Sequence, residues 1–319
     1  MELLPPHPVH LTGLPAQAQV KAGDQVGAAD SKGVALLLFR PGRVTLNVTA
    51  PKYVDLEVAL DVQATTDNVP LEMKRLPPPA EVLVKLSDGS EIKFKYVPAG
   101  TFYVGSPPDE RGRQQKDLTR SKREIPKGFY VAETEATQRQ HRLLTGKNPS
   151  TSRALGDESR PVEQVGWRDL TGPGGVLDRC NELLRKLELP YKADLPNEIE
   201  WEYACRAGTS TAYYDGANVT NERDDPALDT LAYYSRGGSQ TAPSPVAKFK
   251  PNAWGLFDML GNVGEWVYGE RGPRDPVMRG GNWRVGPVHC RCASRIELTT
   301  DTRPTEVMGY RLVLRPTEE

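Results

Sequence analysis

Thiols are the most reactive side chains in this sequence, and there are four: Cys180, Cys205, Cys290 and Cys292. None stands in the C-x-x-C spacing of zinc ribbons or thioredoxin-like sites, so a structural zinc is not expected. Cys290-Arg291-Cys292 is the tightest pair. A copper ion held linearly needs two sulfurs aimed at one point, whereas alternate residues on a strand share a face with Cα atoms about 6–7 Å apart. Copper on Cys290 and Cys292 is therefore not expected either. The four histidines, His7, His10, His141 and His289, are dispersed, and no facial triad for iron can be drawn from them. His141 falls on a helix following Thr134, where a surface position is the expectation. No Gly-x-Ser-x-Gly elbow offers an activated serine. What remains is recognition chemistry. Between Arg279 and Arg311, Trp283, Arg284, Val285, His289 and Arg291 mix aromatic, apolar and cationic groups in the composition of a binding hot spot for a protein or small ligand.

The elements that must position these residues fall into two regions. Up to Leu76, short apolar runs alternate with turn residues: Ala16 to Val20, Gly33 to Phe39, Val44 to Thr49, Leu56 to Val62 and Val69 to Leu76. Arg40-Pro41-Gly42 supplies a turn, and the pattern predicts a small all-β sandwich over residues 1–76. Asn47-Val48-Thr49 is a glycosylation sequon that reads as a surface strand position. Pro77-Pro78-Pro79 cannot continue a central strand and predicts a semi-rigid linker, with a second domain over residues 80–319. That domain opens on a hairpin, Val82 to Leu86 and Ile92 to Val97, turned by Ser87-Asp88-Gly89-Ser90. Ser106 to Lys127 carries both signs of charge without periodicity and reads as a solvated loop. Two helices follow: Val176 to Leu189, with Leu177, Cys180, Leu184 and Leu187 on one face, and one starting at Pro196-Asn197, where Glu200 can close a capping box. From Ala207 onward Gly, Pro, Asn and Asp predict loops and short strands.

Of the 319 residues, 38% are hydrophobic and 26% charged, enough for a sizeable core. Lysine and arginine number 41 against 42 acids, a net charge of -1, so no global basic field is present and nucleic acid is not an expected partner. No apolar run approaches the ~18 residues of a membrane helix, and Met1-Glu2-Leu3-Leu4 lacks a basic leader. The expectation is no membrane insertion and a cytoplasmic chain, or a module cut from a larger protein.

Four phrases occur in order: Val97-Pro98-Ala99-Gly100-Thr101-Phe102 with Tyr103-Val104-Gly105-Ser106; Leu195-Pro196-Asn197-Glu198-Ile199-Glu200-Trp201 continuing to Gly208; Gly255-Leu256-Phe257-Asp258-Met259-Leu260-Gly261-Asn262-Val263-Gly264-Glu265-Trp266; and Arg279-Gly280-Gly281-Asn282-Trp283 running on to Gly309-Tyr310-Arg311. Over roughly residues 80 to 316 the chain resembles the formylglycine-generating enzyme family, the sulfatase-modifying-factor domain. The resemblance implies an α+β variant of the C-type lectin fold with little regular structure. It also implies oxidation of a sulfatase cysteine by copper held in a C-x4-C pair after the Arg-Gly-Gly phrase, but here the first of those positions falls on Val285. Cys205, in Glu-Tyr-Ala-Cys-Arg, and Cys292, before Ala293-Ser294-Arg295, match places where some members form a disulfide; a bridge or two neighbouring buried thiols are both open, with Cys180 an apolar filler. The Gly-Asn-Val-x-Glu-Trp loop of the family implies a calcium site on Asn262, the Val263 carbonyl and Glu265, although Gly264 stands where an aromatic is usual; the alternative is that Asn262 and Glu265 only tie the loop. Iron-dependent branches carry their histidines largely in an extra N-terminal helical domain, whereas the N-terminal region of this sequence reads as β. The N-terminal region resembles a PEGA or carboxypeptidase-regulatory β-module, which implies a spacer.

Trp201, Trp266 and Trp283 sit in fold-defining phrases and are expected as core anchors. Related domains serve as variable proteins of diversity-generating retroelements, with ligand residues in the Arg279 to Arg311 segment, or accompany bacterial signalling enzymes. The expectation is a non-catalytic display or sensor protein of bacterial type. Its rivals are a divergent metal-dependent oxidase acting on a thiol and a purely structural connector.

Overall fold

A computed structural model describes residues 5–317 except 64, 75 and 239. Met1–Leu4 and Arg75, parts of segments discussed above, lie outside the described residues. Contacts divide the chain into two units, Met1–Pro78 and Pro79–Glu319.

The first unit holds seven strands: β1 (His7–Thr12), β2 (Gln19–Ala22), β3 (Gln25–Ala28), β4 (Ala35–Phe39), β5 (Gly42–Thr49), β6 (Leu56–Val62) and β7 (Asn68–Pro70). They form sheets of order β4-β1-β7 and β3-β2-β5-β6. Strict alternation along β4 buries Ala35, Leu37 and Phe39 while Leu36 and Leu38 face out, the pattern of a half-buried strand. The core between the sheets is built on Val9, Leu11, Val20, Leu37, Leu46 and Val48. Sequence runs missed β1 and β3. In β1 a histidine or proline interrupts every apolar pair, and β3 leaves Val26 exposed because its pairing with β2, not its own burial, defines it.

The second unit adds β8 (Glu81–Lys85), β9 (Glu91–Val97), β10 (Gly100–Val104), β11 (Ser121–Ile125), β12 (Phe129–Ala132), α1 (Gln138–Thr145), α2 (Trp167–Thr171), α3 (Val176–Lys186), β13 (Tyr191–Asp194), α4 (Glu198–Arg206), β14 (Gly264–Gly269), β15 (Gly272–Arg279), β16 (Arg295–Glu297), β17 (Met308–Gly309) and β18 (Val313–Pro316). A five-stranded sheet of order β13-β18-β12-β9-β8 inserts the last strand between β13 and β12. A four-stranded sheet of order β16-β15-β14-β17 and the β10-β11 ribbon complete the strands. The unit is α+β, with no helix or strand among the described residues between Arg206 and Gly264.

One core cluster lies among α1, α2, α3 and the five-stranded sheet, with Val84, Phe94, Tyr130, Leu184, Trp266 and Leu314. α3 turns Val176, Cys180 and Leu184 inward at four-residue spacing. Each large side chain buried in this way contributes about 1.5–3 kcal/mol. A second cluster surrounds α4 with Trp201, Cys205, Tyr213, Tyr234, Val267 and Cys292.

Two expectations need correction. His141 lies on the expected helix after Thr134, α1, which is capped by Thr137 in a box closed by Gln140, but it is not a surface residue. This frame turns His141 into the core, 4% exposed, with its Nδ1 3.1 Å from the Tyr310 hydroxyl. The segment from Ser106 to Lys127 is not a plain solvated loop: β11 pairs along β10, and Ser106 and Asp117 are buried.

Candidate functional site

The helix phrase builds the centre. Asn197 Oδ1 accepts from the Ile199 and Glu200 amides, Glu200 accepts from the Asn197 amide, and the capped helix α4 then directs Trp201, Glu202, Cys205 and Arg206 inward. Glu202 is fully buried between two guanidiniums: Arg206 donates to it at 2.9 Å and Arg279 at 2.5 Å. The Gly105 amide donates to it at 2.7 Å, and the Gly105 carbonyl accepts from Arg206. Gly105 has φ +79°, and a Cβ there would lie 2.2 Å from the Leu118 carbonyl oxygen, so no other residue fits. Arg279 also lies 5.2 Å over the Trp201 ring.

Beside this, Glu265 is held by Trp201 Nε1 at 2.6 Å and by Arg311, whose Nη2 also donates to the Phe257 carbonyl and whose Nη1 donates to the Ala132 carbonyl. Glu135 accepts from Asn262 Nδ2 at 2.7 Å and from the Val263 amide at 2.9 Å. Asp258 accepts from the Ala247 amide. Three carboxylates, Glu135, Asp258 and Glu265, thus share one buried cation, Arg311. Burial first, and then repulsion from Asp258 and Glu265, push Glu135 well above the usual carboxylate range. Burial raises Asp258 to about 6.

This geometry decides the calcium expectation. Asn262 Oδ1 accepts from the Ser244 amide, its Nδ2 is spent on Glu135, and both Glu265 oxygens face Arg311. A cation would have to displace a guanidinium, so Asn262, Val263 and Glu265 do not fit a calcium ion; they tie the loop. At Gly264 an added Cβ would lie 2.6 Å from Met278 Sδ, so Met278 packs directly against this glycine.

The donor set does not fit copper either. Cys292 Sγ lies 3.4 Å from Cys205 Sγ and Cys205 also faces the Met259 carbonyl. Cys290 sits apart from that contact against Gly281, its thiol pushed up to about 12 by burial although the Asn282 and Gly261 amides pull it back. Counted from Val285, the C-x4-C spacing ends on Cys290, so one sulfur of the family pair is present and its mate is an aliphatic side chain. Cys180 is likewise buried and pushed up to about 12. Folding under oxidised glutathione should therefore remove two of the four thiols as a Cys205–Cys292 bridge and leave Cys180 and Cys290 free. Peptide mapping with a thiol-blocking reagent checks this; a bridge containing Cys290 would contradict it.

The expected ligand face is smaller than its composition suggests. Trp283 is 1% exposed, its Nε1 donating to the Glu306 carbonyl at 3.1 Å, and is a core anchor like Trp201 and Trp266. Arg291 is fully buried, held by Glu110 and by Asp117 at 2.8 Å. Val285 is half-buried against the α4 cluster. Arg284, stacked 4.7 Å over Trp283 and paired with Glu306, and His289, on a short 3-10 turn from Pro287 to His289, remain exposed. Partial burial and the neighbouring Arg291 hold His289 below the usual histidine value. Sequence reasoning missed Glu110 and Asp117 because a mixed-charge segment without periodicity carries no signal of which acid turns inward. Their one sequence-level cue is that Arg291 alternates between two buried cysteines and so needs a counter-charge.

Among the described residues no group of three or more His, Cys, Asp or Glu side chains is arranged to hold a metal ion. Residues 83–316 match the sulfatase-modifying factor enzyme 1-like domain. The chain belongs to that family. The mouse formylglycine-generating enzyme is 27% identical over 185 residues, 47% of this chain and 49% of that protein. The mouse inactive C-alpha-formylglycine-generating enzyme 2 is 33% identical over 149 residues, 39% of this chain and 45% of that protein. The chain thus spans about half the length of these two curated relatives. The solved Treponema denticola variable protein 1 superposes with a TM-score of 0.59 at 23% identity, covering 75% of this chain and all of that one. The second unit therefore has the sulfatase-modifying-factor variant of the C-type-lectin-like fold, as its four phrases imply.

Proposed function

We propose that this sulfatase-modifying-factor domain is a non-catalytic binding module that uses its loop face, centred on Arg284 and His289, to engage a protein or small ligand. The observation that carries the reading is the disposition of sulfur: Val285 stands five residues before Cys290, and Cys292 is turned to Cys205. A relative whose name describes it as inactive supports the same reading. Display of a ligand-binding surface, as in a diversity-generating retroelement variable protein or a sensor carried on a PEGA-like spacer, suits the rigid buried ion pairs beneath the loops.

The rival is a divergent oxidase using Cys290. The purified chain, loaded with one equivalent of copper(I) and dialysed against a copper(I) chelator, is expected to release the metal and to consume no oxygen with a cysteine-containing peptide. Copper retained at one equivalent, and lost in Cys290→Ala, would overturn the binding reading. In a peptide-display selection, clones enriched on the parent chain should fail to bind an Arg284→Glu, His289→Ala variant. Equal binding to that variant would leave the structural-connector reading in its place.

A further inference from the structure

The β10-β11 ribbon has one face on the core and one in solvent, and the solvent face carries two cations that form no ion pair among the described residues. Phe102 packs on Tyr203 with ring centroids 5.0 Å apart, which fixes the inner face. Directly opposed residues of an antiparallel pair share a face, so Tyr103 with Lys122 and Thr101 with Glu124 point outward. Tyr103 is 52% exposed, a large aromatic ring kept in water. The Arg120 guanidinium lies 5.3 Å over it and Lys122 stands directly across the ribbon. Glu270, which reaches this ribbon, is already engaged with Arg123 at 2.7 Å. Among the described residues neither Arg120 nor Lys122 has an ion-pair partner. Glu124, two residues beyond Lys122, is the acid at the far end of the same face. The sheet contains only β10 and β11, so β11 also offers an edge of backbone donors and acceptors to an extended segment.

We infer that this face docks a short, extended, acidic segment of a partner protein, with its carboxylates on Arg120 and Lys122 and an apolar or aromatic side chain on Tyr103. An aromatic flanked by two cations that form no ion pair among the described residues is complementary to such a segment in both charge and surface chemistry. A phosphate backbone is disfavoured by Glu124 on the patch and by the net charge of -1 of the chain. The proposal is independent of the loop face around Arg284.

The probe is a fluorescein-labelled octapeptide of glutamates around one central tyrosine, titrated with the full chain by fluorescence anisotropy at low and at physiological ionic strength. Arg120→Glu with Lys122→Glu should weaken binding by about tenfold or more at low salt, where exposed charges are least screened. Tyr103→Ala should weaken it several-fold while leaving the salt dependence as in the parent, because the ring contact is not screened. Lys192→Glu, an exposed charge on β13, should leave binding unchanged. Equal affinity of the parent and the double variant, an equal loss in Lys192→Glu, or displacement of the peptide by a lower concentration of oligodeoxythymidine would overturn the proposal. Self-association of the parent that the double variant abolishes would overturn it too, since the occupant would then be a second copy.

Discussion

Glu202→Gln is expected to destabilise the second unit by about 3–5 kcal/mol, a far larger effect than any single surface charge in the chain. The Glu202 carboxylate is the buried anion facing both Arg206 and Arg279, and all three side chains are at most 1% exposed. Glutamine keeps the volume but turns an amide N–H toward one guanidinium, leaving two buried cations and no anion between them. The Gly105 amide loses its charged acceptor as well, which loosens the turn that leads into the Ser106 segment. By contrast Arg111→Ala removes an ion pair with Glu222 whose members are 53% and 61% exposed, and should change stability by less than about 1 kcal/mol. All five tryptophans lie beyond Pro79, so tryptophan fluorescence, excited to the exclusion of Tyr53 and the other tyrosines, reports this unit alone during urea denaturation. A Glu202→Gln protein within 1 kcal/mol of the parent would show, at that order of magnitude, that water or a neighbouring group takes over the carboxylate's role.

Between pH 4 and pH 6.5 two buried groups should tilt stability in opposite directions and largely cancel in the parent. Burial raises Asp258 from 3.8 to about 6, so the folded state binds its proton more tightly than the unfolded chain. Its contribution is present below pH 3.8 and is lost as pH rises through 6, worth about 3 kcal/mol. Burial lowers His141 from 6.5 to about 4, so the folded state binds its proton less tightly. That contribution is present above pH 6.5 and is lost as pH falls through 4, again worth about 3 kcal/mol. Asp258→Asn, which can still accept from the Ala247 amide, should therefore become more stable as pH rises across this window. His141→Gln, which can still reach the Tyr310 hydroxyl, should become less stable over the same range. Glu135, which burial also raises above the usual carboxylate range, acts in the Asp258 direction. Parallel stability curves for the two variants would sink this account.

The four ordered phrases determined the family, the α+β class and the core role of Trp201, Trp266 and Trp283, because those residues are dictated by local capping, tight turns and burial that recur wherever the fold recurs. The missing first cysteine of the C-x4-C pair was equally legible, since spacing along the chain is all that it requires. Strand patterning also announced β4, β5, β6 and the β8-β9 hairpin, where alternation is strict. What the sequence did not contain was the partner of each polar side chain. Asn262 and Glu265 read equally well as calcium ligands or loop ties until Glu135, 127 residues away from Asn262 in sequence, and Arg311 were seen to occupy them. Trp283 and Arg291 have the composition of a hot spot, but Glu306, Glu110 and Asp117 come from separate segments to bury them. His141 falls on a helix after Thr134 as expected, but that its side chain turns inward to Tyr310 depended on a residue 169 positions away. Which side a polar residue faces is decided by the counter-charge it meets, and in a unit with so little regular structure that meeting is a long-range, tertiary event.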